Sequence, residues 1–416
     1  MADSQLESAN FIYMVIGIDA SRANLKYKTG TEWYSFNLIK NFAELDQTNT
    51  YWLYLNRAPA PELIAAISSN TNFSFKVLYW PFQAFWTLGR LTLEMLWHSP
   101  DVLFVPAHTL PLFSPRKTVN TIHDIAFEYD KTLYRSLKVK TDKAALRPLI
   151  DWLVHFITLG HYRSGSVDYL DWSTSFALRH AKKIIAVSEI TKQDLLQSYP
   201  EARAEKIRVI HNGFNDELYH PVDDEQKITE VLNKYDLDRQ YLLYVGRLER
   251  KKNTAALVEA FALWKENNPD SNLKLLLVGN AGFGFDEINY IIEEFNLSKE
   301  VLMPGWVSAV DLPYIVAAAK AFISPSRYEG FGITLLESLA CGVPTAVSNL
   351  PVFKEVAGDA VLYFDQNDKK SMVMAIDRVV NDEGLRQELK TKGLARAHQF
   401  SWRKCASETK DLLTSL

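Results

Sequence analysis

Cysteine is scarce in this chain of 416 residues, which contains only Cys341 and Cys405. The two lie far apart and in no metal-ligand spacing, so a disulfide framework and a zinc site are disfavoured, and the usage fits a reducing compartment. No run of about 18 uncharged apolar residues is present, which argues against a membrane span. The first residues also lack the basic and apolar regions of a signal peptide. These absences predict a cytoplasmic enzyme or binding protein.

Neither sign of charge is in large excess. The chain has 46 Lys and Arg against 50 Asp and Glu, a formal net charge of −4, so no nucleic-acid partner is expected. No G-x-G-x-x-G opens the first predicted helix and no Walker lysine motif is present, which disfavours a dinucleotide dehydrogenase and a nucleoside triphosphatase. Hydrophobic residues make up 47% of the chain, and its length predicts two or three domains.

Short apolar runs rich in β-branched residues alternate with longer stretches of helical pattern. Continuous apolar runs are typical of parallel strands covered on both faces. A first series of predicted strands covers 11–18, 51–55, 75–79, 102–105, 118–122, 183–187 and 207–210. A second series covers 241–245, 273–278, 300–303, 321–324, 344–347 and 361–364. Two successive series predict an α/β protein of two doubly wound domains, over 1–215 and 222–398, with the polar stretch 216–238 as a linker or boundary.

The stretch 131–178 fits this alternation poorly. It combines aromatic residues such as Trp152 and Trp172 with basic residues such as Lys140 and Arg147. One interpretation is a helical insertion whose aromatic side chains belong to the core. The other is an acceptor-side element, or one that contacts the inner membrane surface peripherally, because basic and aromatic residues together suit an anionic interface.

A basic loop follows the first strand of the second series. Arg247 stands at the end of the strand, Lys252 five residues later, and Asn253 is placed to cap the next helix. Ligands of open α/β sheets bind at the carboxyl ends of strands, and Arg and Lys are the side chains that bind phosphate oxygens. The alternative is an ordinary solvated surface loop.

A second loop, before a predicted helix at 334–341, carries glycines and carboxylates. Gly330 and Gly332 allow close approach of the backbone to a ligand, and the start of a helix favours a phosphate. Glu329 and Glu337, separated by seven residues, are hydrogen-bond acceptors suited to sugar and ribose hydroxyl groups. Phosphate between two hydroxyl-bearing rings describes a nucleotide sugar. The alternative is a helix start with ordinary acidic compensation of the dipole.

Together the two loops resemble the signature of the retaining glycosyltransferases of family 4, which share the B-type fold of two Rossmann-like domains facing across a cleft. The resemblance implies that Arg247 and Lys252 bind the donor diphosphate, Glu329 the donor sugar and Glu337 the ribose. It also implies that backbone amides of one motif contact the donor; this motif contains Gly330, Phe331, Gly332, Ile333 and Thr334. Trp306 and Val307 would form a turn that binds the nucleobase. A glycine loop of the family would contact the donor as well, and of its two glycines only Gly30 is present. His123, in a Thr-Ile-His-Asp segment, matches the family's active-site histidine and is, with Glu329, a catalytic candidate, while His108 is a second acceptor-side candidate. A last helix, about 400–416, is expected to cross back onto the first domain.

The resemblance implies transfer of a hexose from a nucleoside diphosphate sugar to a hydroxyl of a glycan or lipid-linked glycan, with retained configuration. Mannose is favoured over other hexoses because the segments around His108 and His123 resemble bacterial mannosyltransferases. No cofactor and no divalent metal is expected, and no Asp-x-Asp element occurs in a suitable loop. The alternatives are a nucleotide-sugar epimerase or hydrolase on the same scaffold and a non-catalytic partner subunit of a transferase.

Overall fold

A first parallel sheet is formed by the amino-terminal half of the chain. The computed structural model describes residues 13–80, 86–129 and 166–416. The seven strands of the sheet are β1 Val15–Asp19, β2 Thr50–Leu55, β3 Phe73–Val77, β4 Val102–Val105, β5 Thr118–Ile122, β6 Lys183–Ala186 and β7 Ile207–Val209. Their spatial order is β3-β2-β1-β4-β5-β6-β7, so the direction of winding reverses between β1 and β4.

A second parallel sheet has the same design. Its six strands are β8 Tyr241–Val245, β9 Lys274–Val278, β10 Val301–Gly305, β11 Ala321–Ser324, β12 Thr345–Ser348 and β13 Leu362–Phe364. Their order is β10-β9-β8-β11-β12-β13, with the reversal between β8 and β11. In such a sheet the connections diverge at the reversal and leave a crevice at the carboxyl ends of the strands, where ligands bind.

Helices connect the strands and cover the faces of both sheets. In the first half they are α1 Gly30–Leu45, α2 Pro61–Ile67, α3 Thr92–Trp97 preceded by a π-helical turn Trp86–Leu91, α4 Ala126–Tyr129, α5 Ser166–His180 and α6 Glu189–Ser198, with a 3₁₀ turn at Ala204–Lys206. In the second half they are α7 Glu225–Lys234, α8 Thr254–Asn267 preceded by a 3₁₀ turn Arg250–Lys252, α9 Phe285–Glu294, α10 Leu312–Ala317, α11 Ile333–Ala340, α12 Pro351–Ala357, α13 Lys369–Asn381, α14 Glu383–Ala397 and α15 Trp402–Thr414.

Every strand predicted from the sequence is present, with ends shifted by a few residues. The strands are continuous apolar runs because both faces of each sheet are covered; β4, for example, is buried at all four positions. The α/β class with two doubly wound sheets is therefore confirmed. The domain limits 1–215 and 222–398 stay predictions.

The stretch 216–238, predicted as a linker or boundary, contains the ten-residue helix α7. Asp224 caps this helix by accepting a hydrogen bond from the backbone N–H of Lys227 at 2.9 Å. Ile228, Val231 and Leu232 are buried in the core below the second sheet. Three apolar residues at helical spacing are enough to anchor a helix whose other positions are polar, and the surrounding charge conceals them in the sequence.

The last helix, α15, packs against α1 of the first half. Trp402, Cys405 and Leu413 are buried in the same apolar cluster as Tyr34 and Phe42 of α1. The chain therefore ends on the first sheet after completing the second. Of the predicted insertion 131–178, the residues up to 165 lie outside the described ranges, and 166–178 belong to α5. None of the helices in the described part of the chain combines the length and the apolar character needed to cross a bilayer.

Candidate active site

The two loops singled out in the sequence lie side by side at the reversal of the second sheet. One follows β8 and the other follows β11, and these strands are neighbours. The backbone N–H of Arg327 donates to the carbonyl oxygen of Lys251 at 2.9 Å, which joins the loops directly. The guanidinium of Arg327 also donates through Nε to Oδ1 of Asn253 at 3.0 Å. The two motifs therefore form one site.

Lys252 and Glu329 meet within this site. Nζ of Lys252 donates to Oε1 of Glu329 at 2.6 Å, and the hydroxyl of Ser326 donates to the same oxygen at 2.8 Å. The side chains of Lys252 and Glu329 are 22% and 14% exposed, so the pair is accessible at one edge. A cation and a carboxylate are thus held next to each other at the carboxyl end of the sheet.

The basic run Arg250–Lys252 is a 3₁₀ turn that sends its three cations in different directions. Arg250 pairs with Glu287 at 3.1 Å, Lys251 with Asp124 at 2.8 Å, and Lys252 with Glu329 at 2.6 Å. The sequence reasoning missed Lys251, because adjacent lysines are indistinguishable until the turn is known.

Asn253 does not cap α8 as expected. It occupies the N-cap position, but its backbone is left-handed, with φ 57° and ψ 26°, and its side chain makes no capping hydrogen bond. Its Oδ1 accepts from Arg327 and its Nδ2 donates to the carbonyl of Gln366 at 3.1 Å. The residue fixes the loops to each other.

Arg247 lines a cavity of about 330 Å³ between the two halves. The cavity is lined by Arg247 and Lys251 from the second half and by Thr29, His108 and Asp124 from the first half. The side chain of Arg247 is 55% exposed, and its Nε lies 3.7 Å from Oε2 of Glu249. Lys252 and Glu329 lie outside this lining. The guanidinium is therefore available to an anion in the cleft.

The start of α11 offers backbone amides to a ligand. Gly332 holds the N-cap position with φ 97°, a conformation that glycine adopts readily, and it has no side chain with which to cap the helix. Ile333 and Thr334 are half-buried in its first turn. Phe331 is 4% exposed and packs against the rings of His211 and Phe400. Its side chain therefore belongs to the core.

Glu337 lies in the second turn of α11 with its carboxyl in apolar surroundings. Burial raises the pKa of Glu337 to about 8. No hydrogen bond or ion pair to its carboxyl exists within the described residues. Loss of solvation therefore favours the protonated form of this half-buried residue, and its carboxyl has no partner among the described residues. A hydroxyl-bearing ligand could supply that partner.

His123 follows β5 of the first sheet and faces the second half. Its Nε2 lies 3.2 Å from the carbonyl oxygen of Pro106, and its ring meets the ring of Tyr34 edge-on at 4.8 Å. Burial, and secondarily the nearby His108, lower the pKa of His123 to about 4. His108 bonds through Nε2 to the carbonyl of Asp124 at 2.7 Å. Burial lowers the pKa of His108 as well, so the neutral form of both rings is favoured.

The first and second halves touch at Gly330. A Cβ at this position would lie 1.8 Å from the carbonyl oxygen of His123, so only glycine allows this approach. Lys251 and Asp124 form an ion pair beside it. Burial alone would raise the pKa of Asp124, but the Lys251 ammonium outweighs it and holds that pKa well below its usual range. The catalytic candidates His123 and Glu329 thus lie on adjoining loops.

The remaining predicted donor contacts lie at the ends of other strands. Gly30 is the exposed first residue of α1, and no atom lies within 4 Å of the Cβ that it lacks. Trp306 follows β10, is 44% exposed, and meets the ring of Tyr27 edge-on at 5.9 Å, while Val307 is buried. Within the described residues, no contact links these three to the Lys252–Glu329 pair. Their roles stay predictions.

In the described ranges, no group of three or more His, Cys, Asp and Glu side chains is placed to hold a metal ion. The expectation that the protein needs neither a metal nor a cofactor stays a prediction.

Two doubly wound parallel sheets whose carboxyl edges meet at a cleft define the B-type glycosyltransferase fold. Residues 28–218 match the family model described as Glycosyltransferase Family 4, and residues 224–396 match the model described as Glycosyl transferases group 1. The chain belongs to this family of glycosyltransferases, as the motifs predicted.

Curated relatives point to the same family. The chain is 34% identical over 246 residues to O-antigen chain mannosyltransferase B of Escherichia coli, covering 58% of this chain and 63% of that protein. It is 26% identical over 223 residues to the serotype-specific mannosyltransferase WbdA of E. coli, covering 53% of this chain and 27% of that protein. The chain thus spans less than two thirds of these relatives.

Solved structures share the architecture over almost the whole chain. Anabaena Alr3699/HepE, solved in complex with UDP and glucose, has a TM-score of 0.67 at 19% identity, covering 97% of this chain and 100% of that one. WaaG, a glycosyltransferase involved in lipopolysaccharide biosynthesis, has a TM-score of 0.67 at 15% identity, covering 96% and 100%. At this identity the likeness establishes the fold.

Proposed function

We propose that the protein transfers a hexose, specifically mannose, from a nucleoside diphosphate sugar to a hydroxyl of a glycan or lipid-linked glycan acceptor. The main support for this proposal is the 2.6 Å contact between Nζ of Lys252 and Oε1 of Glu329 beside the start of α11. A cation for the diphosphate and an acceptor for sugar hydroxyls are adjacent, at the place where this fold binds ligands.

The donor diphosphate would lie between the β8 loop and the start of α11. Arg247 would bind it through its guanidinium and Lys252 through its ammonium, with the amides of Phe331, Gly332, Ile333 and Thr334 adding hydrogen bonds. Charge-assisted hydrogen bonds of this type contribute roughly 1.5–3 kcal/mol each. Stabilising the departing diphosphate in this way is the largest catalytic effect that the site can supply, because the negative charge grows as the bond to the sugar breaks.

The two glutamates would bind the rings on either side. Glu329 would accept hydrogen bonds from the donor sugar, and Glu337 from the ribose, which would satisfy its buried carboxyl. Neutral His123, on the loop that touches Gly330, would face the sugar from the acceptor side. We infer retention of the anomeric configuration from the family, without naming a protein nucleophile.

The preference for mannose and for a glycan acceptor is supported by the names of the two relatives described above, both of them mannosyltransferases of E. coli. Incubating the full chain with GDP-mannose or a UDP-hexose, with and without mannose-containing oligosaccharides, tests this directly. Acceptor-dependent formation of a glycoside from GDP-mannose is expected, with the anomeric configuration of the donor kept in the proton NMR spectrum of the product.

The same experiment separates the alternatives. Rapid consumption of donor that does not depend on acceptor would favour the epimerase or hydrolase. A pair of variants, Arg247→Ala and Lys252→Ala, distinguishes an active transferase from a partner subunit. Full retained activity in both would refute the assignment of the diphosphate site.

A further inference from the structure

A single helix of the first half, α6, holds the loop that carries Glu329. The hydroxyl of Tyr328 donates to Oδ2 of Asp194 at 2.6 Å. The hydroxyl groups of Ser188 and Thr191 donate to the carbonyl oxygen of Gly330 at 2.8 and 3.3 Å. Ser188, the N-cap residue of α6, Thr191 and Asp194 recur every three residues, so they share one face of the helix. All three are buried.

These contacts lie on both sides of Glu329 in the sequence and point away from it. Tyr328 and Gly330 turn toward α6, whereas the Glu329 carboxylate turns toward Lys252 and Ser326. With both neighbours attached to α6, the backbone of Glu329 has little freedom. Its carboxylate is therefore aimed by a helix that belongs to the opposite half of the molecule.

Helix α6 is in turn docked on the second half by its first residues. The backbone N–H groups of Glu189 and Ile190 donate to the carboxylate of Glu355 at 2.7 and 3.1 Å. Nε2 of His211 lies 2.7 Å from the same carboxylate. A carboxylate at a helix start is favoured by the unpaired N–H groups and the dipole. The face that binds the Glu329 loop is thus fixed whenever the halves meet.

We propose that Asp194 and Tyr328 are positioning residues, which set Glu329 for the donor sugar when the two halves close. The inference rests on the proposed function, because it concerns the sugar subsite of the same donor. In this arrangement Arg247 and Lys252 of the second half bind the diphosphate, while Glu329 of the same half is held in position by residues of the first half. Small displacements of a group that contacts the reacting ring have large effects on rate.

A second tyrosine bonded to Asp194 provides a matched control. Its other oxygen, Oδ1, accepts a hydrogen bond from the hydroxyl of Tyr129 at 2.6 Å, and the two tyrosine rings lie 5.3 Å apart. Tyr129→Phe and Tyr328→Phe therefore each remove one phenol from the same carboxylate. Only Tyr328 is the chain neighbour of Glu329.

The test compares wild type, Tyr328→Phe and Tyr129→Phe as full chains. Tyr328→Phe is expected to lower kcat/KM about 10-fold, mainly through kcat, since a hydrogen bond to a charged group is lost. Its Kd for the nucleoside diphosphate alone should stay within about 2-fold of wild type. In Tyr129→Phe, both kcat/KM and this Kd should stay within about 2-fold of wild type. Asp194→Asn, which keeps acceptor oxygen, should retain more transfer than Asp194→Ala.

Equal effects of the two tyrosine variants would overturn the proposal, as would equal weakening of nucleoside diphosphate and nucleotide sugar binding in Tyr328→Phe. If Tyr328→Phe does not fold, Thr191→Val removes a hydroxyl from Gly330 and should shift kcat in the same direction. Wild type that binds a nucleotide sugar but transfers nothing contradicts the proposed function instead. The positioning role is then tested by comparing the affinity for the nucleotide sugar with the affinity for the nucleoside diphosphate. Tyr328→Phe should lower this ratio, and Tyr129→Phe should leave it unchanged.

Discussion

The ammonium of Lys252 lies 2.6 Å from a carboxylate oxygen of Glu329, although the two residues are 77 positions apart in the chain. The two charges satisfy each other in this ion pair. A bound diphosphate would have to share the ammonium with the carboxylate, and the sugar hydroxyls would take up the acceptor capacity that this releases. Under the proposed function, the pair would link binding of the phosphate to binding of the sugar.

Lys252→Ala is expected to lower kcat/KM for transfer by about 10- to 100-fold, because it would remove the proposed charge-assisted hydrogen bond to the departing diphosphate. Glu329→Gln should also lower kcat/KM, because it would weaken the proposed hydrogen bonds to the donor sugar. In the double variant the losses should fall short of their product, since the residues are in direct contact. Steady-state kinetics of the four proteins measures this coupling.

Lys274→Ala is the matched control for that cycle. Lys274 forms a 2.8 Å ion pair with Asp238, but it opens β9 and so lies at the opposite edge of the same sheet. It should leave kcat/KM within about 2-fold of wild type, because half-exposed ion pairs contribute about 0–1 kcal/mol. Independent effects of Lys252→Ala and Glu329→Gln would contradict a shared site.

Glu337→Gln is expected to make the protein more stable at pH 8 while weakening nucleotide binding. The folded-state pKa of about 8 exceeds the ordinary value of 4.5. The folded chain therefore binds the proton more tightly, and its stability is full below pH 4.5 and falls as the pH rises through 8. Glutamine is neutral throughout and avoids that loss, which is about 2 kcal/mol for a half-buried carboxyl.

Thermal unfolding of the variant and wild type at pH 5 and pH 8 measures the difference, which should widen with pH. Glu230→Gln, on the exposed side of α7, reports the effect of the same substitution away from the site. The two Gln variants should differ most at pH 8. Equal stability of wild type and Glu337→Gln at that pH would show that the buried carboxyl already has a partner.

Gly330→Ala is expected to abolish transfer or reduce it by at least about 100-fold, because a Cβ 1.8 Å from the His123 carbonyl must push the halves apart. Gly384 lies in α14, and a Cβ added there would be 3.5 Å from its nearest neighbouring atom. Gly384→Ala should therefore keep activity and add up to about 1 kcal/mol of stability. Kinetics and melting curves of both variants decide this. Normal transfer by Gly330→Ala would show that the contact between the halves is dispensable.

The strands and the position of the two candidate loops at their ends were predictable because their signals are local. A continuous apolar run reports a covered strand, and its end reports the ligand edge of the sheet. Helix α7 escaped prediction because three apolar residues are outnumbered by charged neighbours. Asn253 was misjudged because its side chain has partners in two distant loops, which compete with the cap.

The contacts that aim Glu329 were beyond the sequence for a different reason. Tyr328 and Asp194 are 134 positions apart and belong to opposite halves. No spacing rule relates them, and only the folded arrangement of two sheets brings the phenol to the carboxylate. The same holds for Lys251 and Asp124, 127 positions apart.

His123 is expected to stay neutral across the working pH range, so no loss of activity near pH 6.5 should arise from its protonation. Its folded-state pKa of about 4 lies below the ordinary 6.5, because burial, and then His108, disfavour the charged ring. The stability that this contributes is full above pH 6.5 and is lost as the pH falls through 4, by up to about 3 kcal/mol.

His123→Gln should therefore show a smaller drop in melting temperature between pH 7 and pH 4.5 than wild type, whereas His398→Gln, at an exposed position after α14, should follow wild type. Proton NMR titration of the His123 ring gives the value directly. A midpoint near 6.5 would mean that the ring is solvated, and the contact between the first half and Gly330 would then have to be open in solution.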